Sequence, residues 1–448
     1  MSLPILFRRR ILLPVLATLA IVAIGLVGCS SSGTDAQANS GDPATVTVWS
    51  WRSQDKPVWE TVQKDLRKEG TNVTIKFRSI SATSYDSVLV TAMNGGAGPD
   101  IFYARAGSQT FAAAKLVKPL NGIVDTTKIA PSSLAAAQYN GKTYGVPFAV
   151  QTMSLFYNKD ILKQNNVAVP KSWTSLLAAM KNLKSKNVTP MYVMGIQQWM
   201  LALQIDAIGA STMSNSTTKA ITDKTSDYTN PEYIQTLAAF QQLAPYLENN
   251  WQATGSAGNE QEVAFALGKT AFIIDGIFST ATINQVTPDL NYGHMLVPSP
   301  NGGTPKIAWY VDGNISMNAK IGSKATEKAA EKIMAFTATK AFGNAFSGVA
   351  GEISPISGVQ VPSKYPLAVQ AAKWYKNNAI TPNFGIRSPM DSPSSDPSFV
   401  KNKKSAATPP GIFGAEQKVA TPLLEGSMTP KEAAAKVQSM LGWYFDEK

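Results

Sequence analysis

The 448-residue chain is nearly empty of the two residues that build most protein metal and redox centres, with one cysteine, Cys29, and one histidine, His294. A single thiol excludes an intrachain disulfide and any thiolate metal cluster. A single imidazole excludes zinc sites that need two, and any Ser-His-Asp set would rest entirely on His294, which follows Tyr292-Gly293 and is expected to be a packing or surface residue. No Gly-x-Ser-x-Gly elbow and no Asp-x-Asn-x-Asp-Gly calcium loop occurs. Gly268-Lys269-Thr270 looks like the end of a phosphate loop, but Val263 stands where that loop needs glycine. Gly95-Gly96-Ala97-Gly98 lacks the last glycine of a dinucleotide fingerprint and precedes its strand. Charge is sparse as well: 16% of residues are charged and the net charge is +11, falling to +8 without Arg8, Arg9 and Arg10. The lysines are scattered, with Lys401, Lys403 and Lys404 the one tight cluster, so a nucleic-acid partner is not expected.

The lone cysteine is informative by its position. Arg8-Arg9-Arg10 precede an apolar run over residues 11–24, and Leu26-Val27-Gly28-Cys29 follows, with small Gly28 before the cysteine. This is the layout of a bacterial lipoprotein signal: residues 1–28 are removed and Cys29 is lipidated outside the cytoplasmic membrane. The alternative is a spanning anchor over residues 11–28. Residues 29–43, rich in Ser, Gly, Ala and Asn, read as a flexible tether.

Beyond the tether some 400 residues, drawn from a chain that is 44% hydrophobic, suffice for a large core divided between two domains. Residues 45–49 alternate like a strand, residues 57–68 place Val58, Trp59, Val62 and Leu66 on one helical face, and residues 73–77 alternate again. This predicts a β-α-β unit with a parallel sheet. A helix over 84–94 and a buried strand over 99–103 follow. Further amphipathic helices are predicted over 173–186, capped by Ser172, and over 231–243, 260–267 and 326–340.

These residues resemble a known family, the extracellular solute-binding proteins of ATP-driven (ABC) importers, within the sugar-binding group that includes maltose-binding protein. The resemblance rests on Tyr139-Asn140-Gly141-Lys142-Thr143-Tyr144-Gly145-Val146-Pro147-Phe148-Ala149-Val150, followed by Leu155-Phe156-Tyr157-Asn158-Lys159-Asp160. The segments 94–101, 265–272 and 348–355 follow in the family's order. It implies an α/β, two-lobed periplasmic-binding-protein-like fold of type II, with a hinge and an interlobe ligand cleft. The lobes expected are 44–149 plus 298–350 and 150–297 plus 351–448, with Gly145, Pro147, Pro298 and Gly302 punctuating the crossings.

A sugar presents hydroxyls and flat C–H faces, so its binder needs hydrogen-bonding side chains beside aromatic rings. Trp51 and Arg52 end the first strand, where ligands meet open α/β sheets, with Trp49 expected in the core. Tyr103 and Arg105 follow the 99–103 strand. By the resemblance, Gln151 takes a position that often holds an acid, and Phe278, after Asp275-Gly276, takes that of a stacking tryptophan. Trp309, Asp312 and Glu352 lie at the return crossings, and Trp199 is a further ring.

The resemblance implies a lipid-anchored binding protein that is a monomer, delivers a mono- or oligosaccharide to the transmembrane subunits of an ABC permease, and uses no cofactor. Two alternatives stand beside it: an extracellular glycan hydrolase using paired carboxylates such as Asp275 and Asp312, and a binding protein for a sugar acid, glycerophospho compound or polyamine.

Overall fold

A computed structural model describes residues 43–81, 84–105, 108–377, 384–385, 388, 390–391 and 409–446. Cys29, the signal, nearly all of the tether and the Lys401 cluster lie outside these residues.

The chain opens as its alternation demands. Strand β1 (Ala44–Ser50) buries Val46 and Val48 and pairs in parallel with β2 (Val73–Ser79) and β3 (Ile101–Ala104). Helix Lys56–Lys68 connects the first two strands, starts with a proline in its first turn and buries Val58, Trp59, Val62 and Leu66. Trp49 is half-buried at the edge of this core, beneath the Arg78 guanidinium at 4.7 Å.

From there the sheet turns antiparallel and does not stop at the lobe. It runs β2-β1-β3-β9-β6-β7, with β8 (Tyr292–Met295) also paired to β6. The linking strands are unusually long: β6 spans Val146–Asn158 and β9 spans Ala308–Met317, and β7 (Phe272–Gly276) lies against the end of β6. A small hairpin, β4 (Gln138–Tyr139) with β5 (Lys142–Thr143), precedes β6.

Two large apolar cores sit at the two ends of these strands. The first takes Val146 and Phe148 from β6 and Ile315 and Met317 from β9, together with β1, β3 and helix Lys324–Thr337. The second takes Met153 and Leu155 from β6 and Tyr310 from β9, with helices Trp173–Ser185, Gln198–Thr212 and Ile412–Leu424 packed around them. A smaller third core lies at the waist, where Val150, Val311 and Ile353 meet Trp309. The fold is thus the two-lobed α/β type expected, but one continuous sheet serves both lobes.

Helix ends follow local chemistry. Ser172 caps Trp173–Ser185 by accepting from Ser175 N at 3.2 Å. The helix expected over 326–340 covers Lys324–Thr337, and a second, Lys340–Ala350, starts immediately after it. Thr339 makes the break, with its hydroxyl accepting from Phe342 N. Among the described residues no helix is long and apolar enough to cross a membrane.

Candidate functional site

The crossing segments converge at the waist. Backbone pairing sets Val150 opposite Val311, and Val150 N donates to Ile353 O at 2.8 Å. These three apolar side chains share the third core. Each has a polar neighbour in the chain, Gln151 after Val150, Asp312 after Val311 and Glu352 before Ile353; the two acids meet a single guanidinium just past the end of β1, and Gln151 bridges the acids.

That guanidinium is Arg52. Its Nε donates to Asp55 Oδ2 at 2.9 Å, Nη1 to Asp312 Oδ2 at 2.8 Å and Nη2 to Glu352 Oε1 at 2.5 Å. Gln151 Nε2 donates to Glu352 Oε2 at 2.8 Å and to Asp312 Oδ2 at 3.3 Å. Phe148 and Phe346 flank the cation, with centroids 5.7 and 5.6 Å away. Glu352 reaches this position because Gly351 ends helix Lys340–Ala350 at φ +69, a conformation that costs glycine little and other residues more. In the Arg52, Asp55 and Glu352 side chains at most 5% of the surface is exposed, against 14% for Asp312.

One cation therefore faces three carboxylates in a dry setting. Burial alone would lower the Arg52 pKa, but the fields of Asp55, Glu352 and Asp312 hold it well above its ordinary value. Burial pushes the Asp55 carboxyl upward, and Arg52 only partly opposes the shift. Glu352 is raised for the same reason, again against the pull of Arg52.

An aromatic group adjoins the cluster. Trp51 packs edge-on to Tyr85 (5.3 Å) and Tyr103 (5.8 Å) and tilts against Phe148 (6.2 Å). Arg105 lies over the Trp51 ring at 4.1 Å and pairs with Asp86 at 3.0 Å. Tyr103 is fully buried, and its hydroxyl accepts from Trp59 Nε1 at 3.0 Å. A Cβ placed on Gly313, next to Asp312, would lie 3.2 Å from the Trp51 ring, so ring and ion cluster are neighbours.

Seven of the eleven residues singled out by sequence thus form one assembly: Trp51, Arg52, Tyr103, Arg105, Gln151, Asp312 and Glu352. Of the other four, Phe278, Asp275 and Trp199 lie on the second-core side and Trp309 lies in the third core. Phe278 is half-buried beyond the end of β7, where Met153 pairs with Gly276 and Ile277 N donates to Thr152 O at 2.9 Å. Asp275 is fully buried and accepts from Gln261 Nε2 at 2.8 Å and from Gly276 N at 2.6 Å. Burial, then the nearby Glu262, holds its carboxyl well above the usual range. Trp309 packs in the third core against Tyr375, with ring centroids 5.4 Å apart. Trp199 is half-buried and donates its indole N–H to Gln197 Oε1 at 2.9 Å. His294 is buried between Phe156 and Trp374, with Nδ1 3.0 Å from Ser154 Oγ.

Asp55 and Asp86 belong to the assembly but were missed in the sequence. Asp55 carried a usable signal, since it stands three residues after Arg52, the spacing at which a turn of helix joins a charge pair. Among the described residues no group of three or more His, Cys, Asp and Glu side chains is arranged to hold a metal ion.

Two α/β lobes on a shared sheet, with strands crossing between them beside a mixed aromatic and charged cluster, define the class of two-lobed solute-binding proteins. The chain belongs to the bacterial extracellular solute-binding protein family, whose model matches residues 62–380. It is 23% identical over 363 residues to the multiple sugar-binding protein of Streptococcus mutans, covering 79% of this chain and 84% of that one. It is 25% identical to the maltodextrin-binding protein MdxE of Bacillus subtilis, covering 81% and 86% of the two chains. Its fold matches the GacH receptor of Streptomyces glaucescens, solved unliganded and with acarbose, at a TM-score of 0.69, 19% identity and coverage of 90% and 99%. It also matches a sugar transporter of Bacillus licheniformis in complex with stachyose, at a TM-score of 0.61, 18% identity and coverage of 88% and 98%.

Proposed function

We propose that the protein captures a mono- or oligosaccharide outside the cytoplasmic membrane and delivers it to the transmembrane subunits of an ABC importer. The observation that carries this reading is the apposition of the Trp51 ring to the Arg52, Gln151, Asp312 and Glu352 cluster at the crossings. A ring offers its face to sugar C–H groups, and charged and amide side chains offer hydrogen bonds to hydroxyls. Phe278, on the strand end beside Gln151, supplies a ring from the second lobe. The carbohydrate-binding names of several relatives support the same choice.

In this reading ligand held by one lobe favours closure by contacts from the other. Only a higher affinity for the closed form can drive that motion. Cys29 carries the lipid that keeps the protein at the membrane surface. The protein acts as a monomer, without a cofactor, and ATP is used by a separate subunit. The hydrolase alternative gains little support, because Asp275 is buried in bonds to Gln261 and the backbone while Asp312 is engaged by Arg52 and Gln151.

The test is a thermal-melt panel of the mature chain with mono- and oligosaccharides, sugar acids, polyols, polyamines and phosphate compounds. Ligand at about 100 times its dissociation constant adds ~2.7 kcal/mol to stability. A shift with one sugar class and recovery of that sugar intact is the expected result. Breakdown of the sugar overturns the binding reading, and a shift only with non-sugars overturns the carbohydrate one.

A further inference from the structure

We propose that Glu352 and Asp55 are positioning residues that act through Arg52 to set the balance between open and closed lobes, and thereby shift ligand affinity. This rests on the binding role above only for its effect on affinity; the conformational effect stands without it.

The argument begins with connectivity. Among the described residues three chain segments pass the waist: β6, β9 and the stretch after Gly351. Each puts an apolar residue, Val150, Val311 or Ile353, into the same small core, and an adjoining residue, Gln151, Asp312 or Glu352, into the Arg52 cluster. Arg52 and Asp55 belong to the first lobe, so a change in the relative twist of the crossings changes the distances on which the cluster depends.

The energetic scale matches. Separating a buried, hydrogen-bonded charge from its partner costs several kcal/mol, whereas two conformations of one protein commonly differ by only a few. Glu352 is almost fully buried, and both its oxygens are engaged, Oε1 by Arg52 and Oε2 by Gln151. Asp55 holds the opposite edge of the guanidinium through Nε and so fixes the direction in which the two Nη groups point. Neutralising either acid leaves one cation with two carboxylates and alters the geometry of the fork.

The experiment uses the mature chain carrying Cys29→Ser, with spin labels on Lys64→Cys and Lys181→Cys, two exposed positions on helices of opposite cores. Interlobe distance distributions are measured without ligand for the parent and for Glu352→Gln and Asp55→Asn. Affinities are measured in parallel for maltotriose and diacetylchitobiose. The expected result is a shifted distribution in both variants, with any measurable affinity changed by ~5-fold or more. Coincident distributions in the folded variants overturn the proposal, even if affinity changes, since Glu352 would then act by direct contact. Should Glu352→Gln fail to fold, Asp55→Asn, which keeps an oxygen for Arg52 Nε, decides the matter. If neither sugar binds the parent, that assignment of ligand fails, while the distance comparison still tests the hinge.

Discussion

The ring of Phe278 folds back over Gly276, so closely that a Cβ built at 276 would stand 2.0 Å from Phe278 Cε1. Gly276→Ala must therefore move that ring. We expect a loss of ~1–3 kcal/mol in stability, typical of overpacking, with weaker carbohydrate binding. In a Phe278→Ala background the same change should cost almost nothing. A double-mutant cycle by chemical denaturation and calorimetry checks this, and additive effects would reject the coupling.

Trp51→Ala removes a half-buried ring from contact with Tyr85, Tyr103 and Phe148. We predict a stability loss of ~2–4 kcal/mol, in the lower range for truncated aromatics, and at least a tenfold fall in sugar affinity. Trp51→Phe should recover most of the stability and less of the affinity. Equal affinity in all three proteins, measured by titration calorimetry, would remove Trp51 from the binding site.

Arg52→Lys keeps the charge but replaces a planar fork with one ammonium, which cannot reach Asp55, Asp312 and Glu352 in the same directions. The expected cost is ~3–5 kcal/mol, that of leaving a buried ionic group without its partner. Urea midpoints at constant m-value report it. An unchanged midpoint would mean that the cluster contributes little to stability.

Glu248 gives a pH signature. Its carboxylate accepts from Val193 N and Thr254 Oγ1, yet burial pushes its pKa from 4.5 up to about 7. The folded state thus holds a proton that the unfolded chain has released, so this stabilisation is complete below pH 4.5 and is lost as pH rises through 7. His294 works on the acid side: burial lowers its pKa from 6.5 to about 4, so its contribution is present above 6.5 and lost as pH falls toward 4. The stability of the parent, followed by melting, should fall relative to that of Glu248→Gln between pH 5 and pH 7 and change little relative to it above that. A parallel decline in the variant would assign it to other groups.

The local structure was legible where chemistry is local. Alternation and helical spacing located β1, β2 and the helix between them, and Ser172 marked its own cap. The break after Thr337 was not, because the apolar pattern runs through it and only the Thr339 hydroxyl ends one helix and begins the next. Continuity of the sheet was also hidden: a long strand crossing a waist reads like two short ones separated by a turn.

In the cluster at the crossings, Trp51, Arg52 and Gln151 were singled out from strand ends and the family pattern. What no local pattern gives is who partners Arg52. Asp312 and Glu352 lie 260 and 300 residues away along the chain, and only the pairing of Val150 with Val311 and Ile353 brings them together.

The shared sheet also bears on how the protein comes into being. The first core contains residues from β1, near position 46, and from Phe342, Phe346 and Val359, while β9 stands between β3 and β6 in the sheet. A chain delivered from its N-terminus cannot finish that core until more than three hundred further residues have arrived. The early β-α-β segment must wait with an open sheet edge on β3, a template for wrong pairing until β9 fills it.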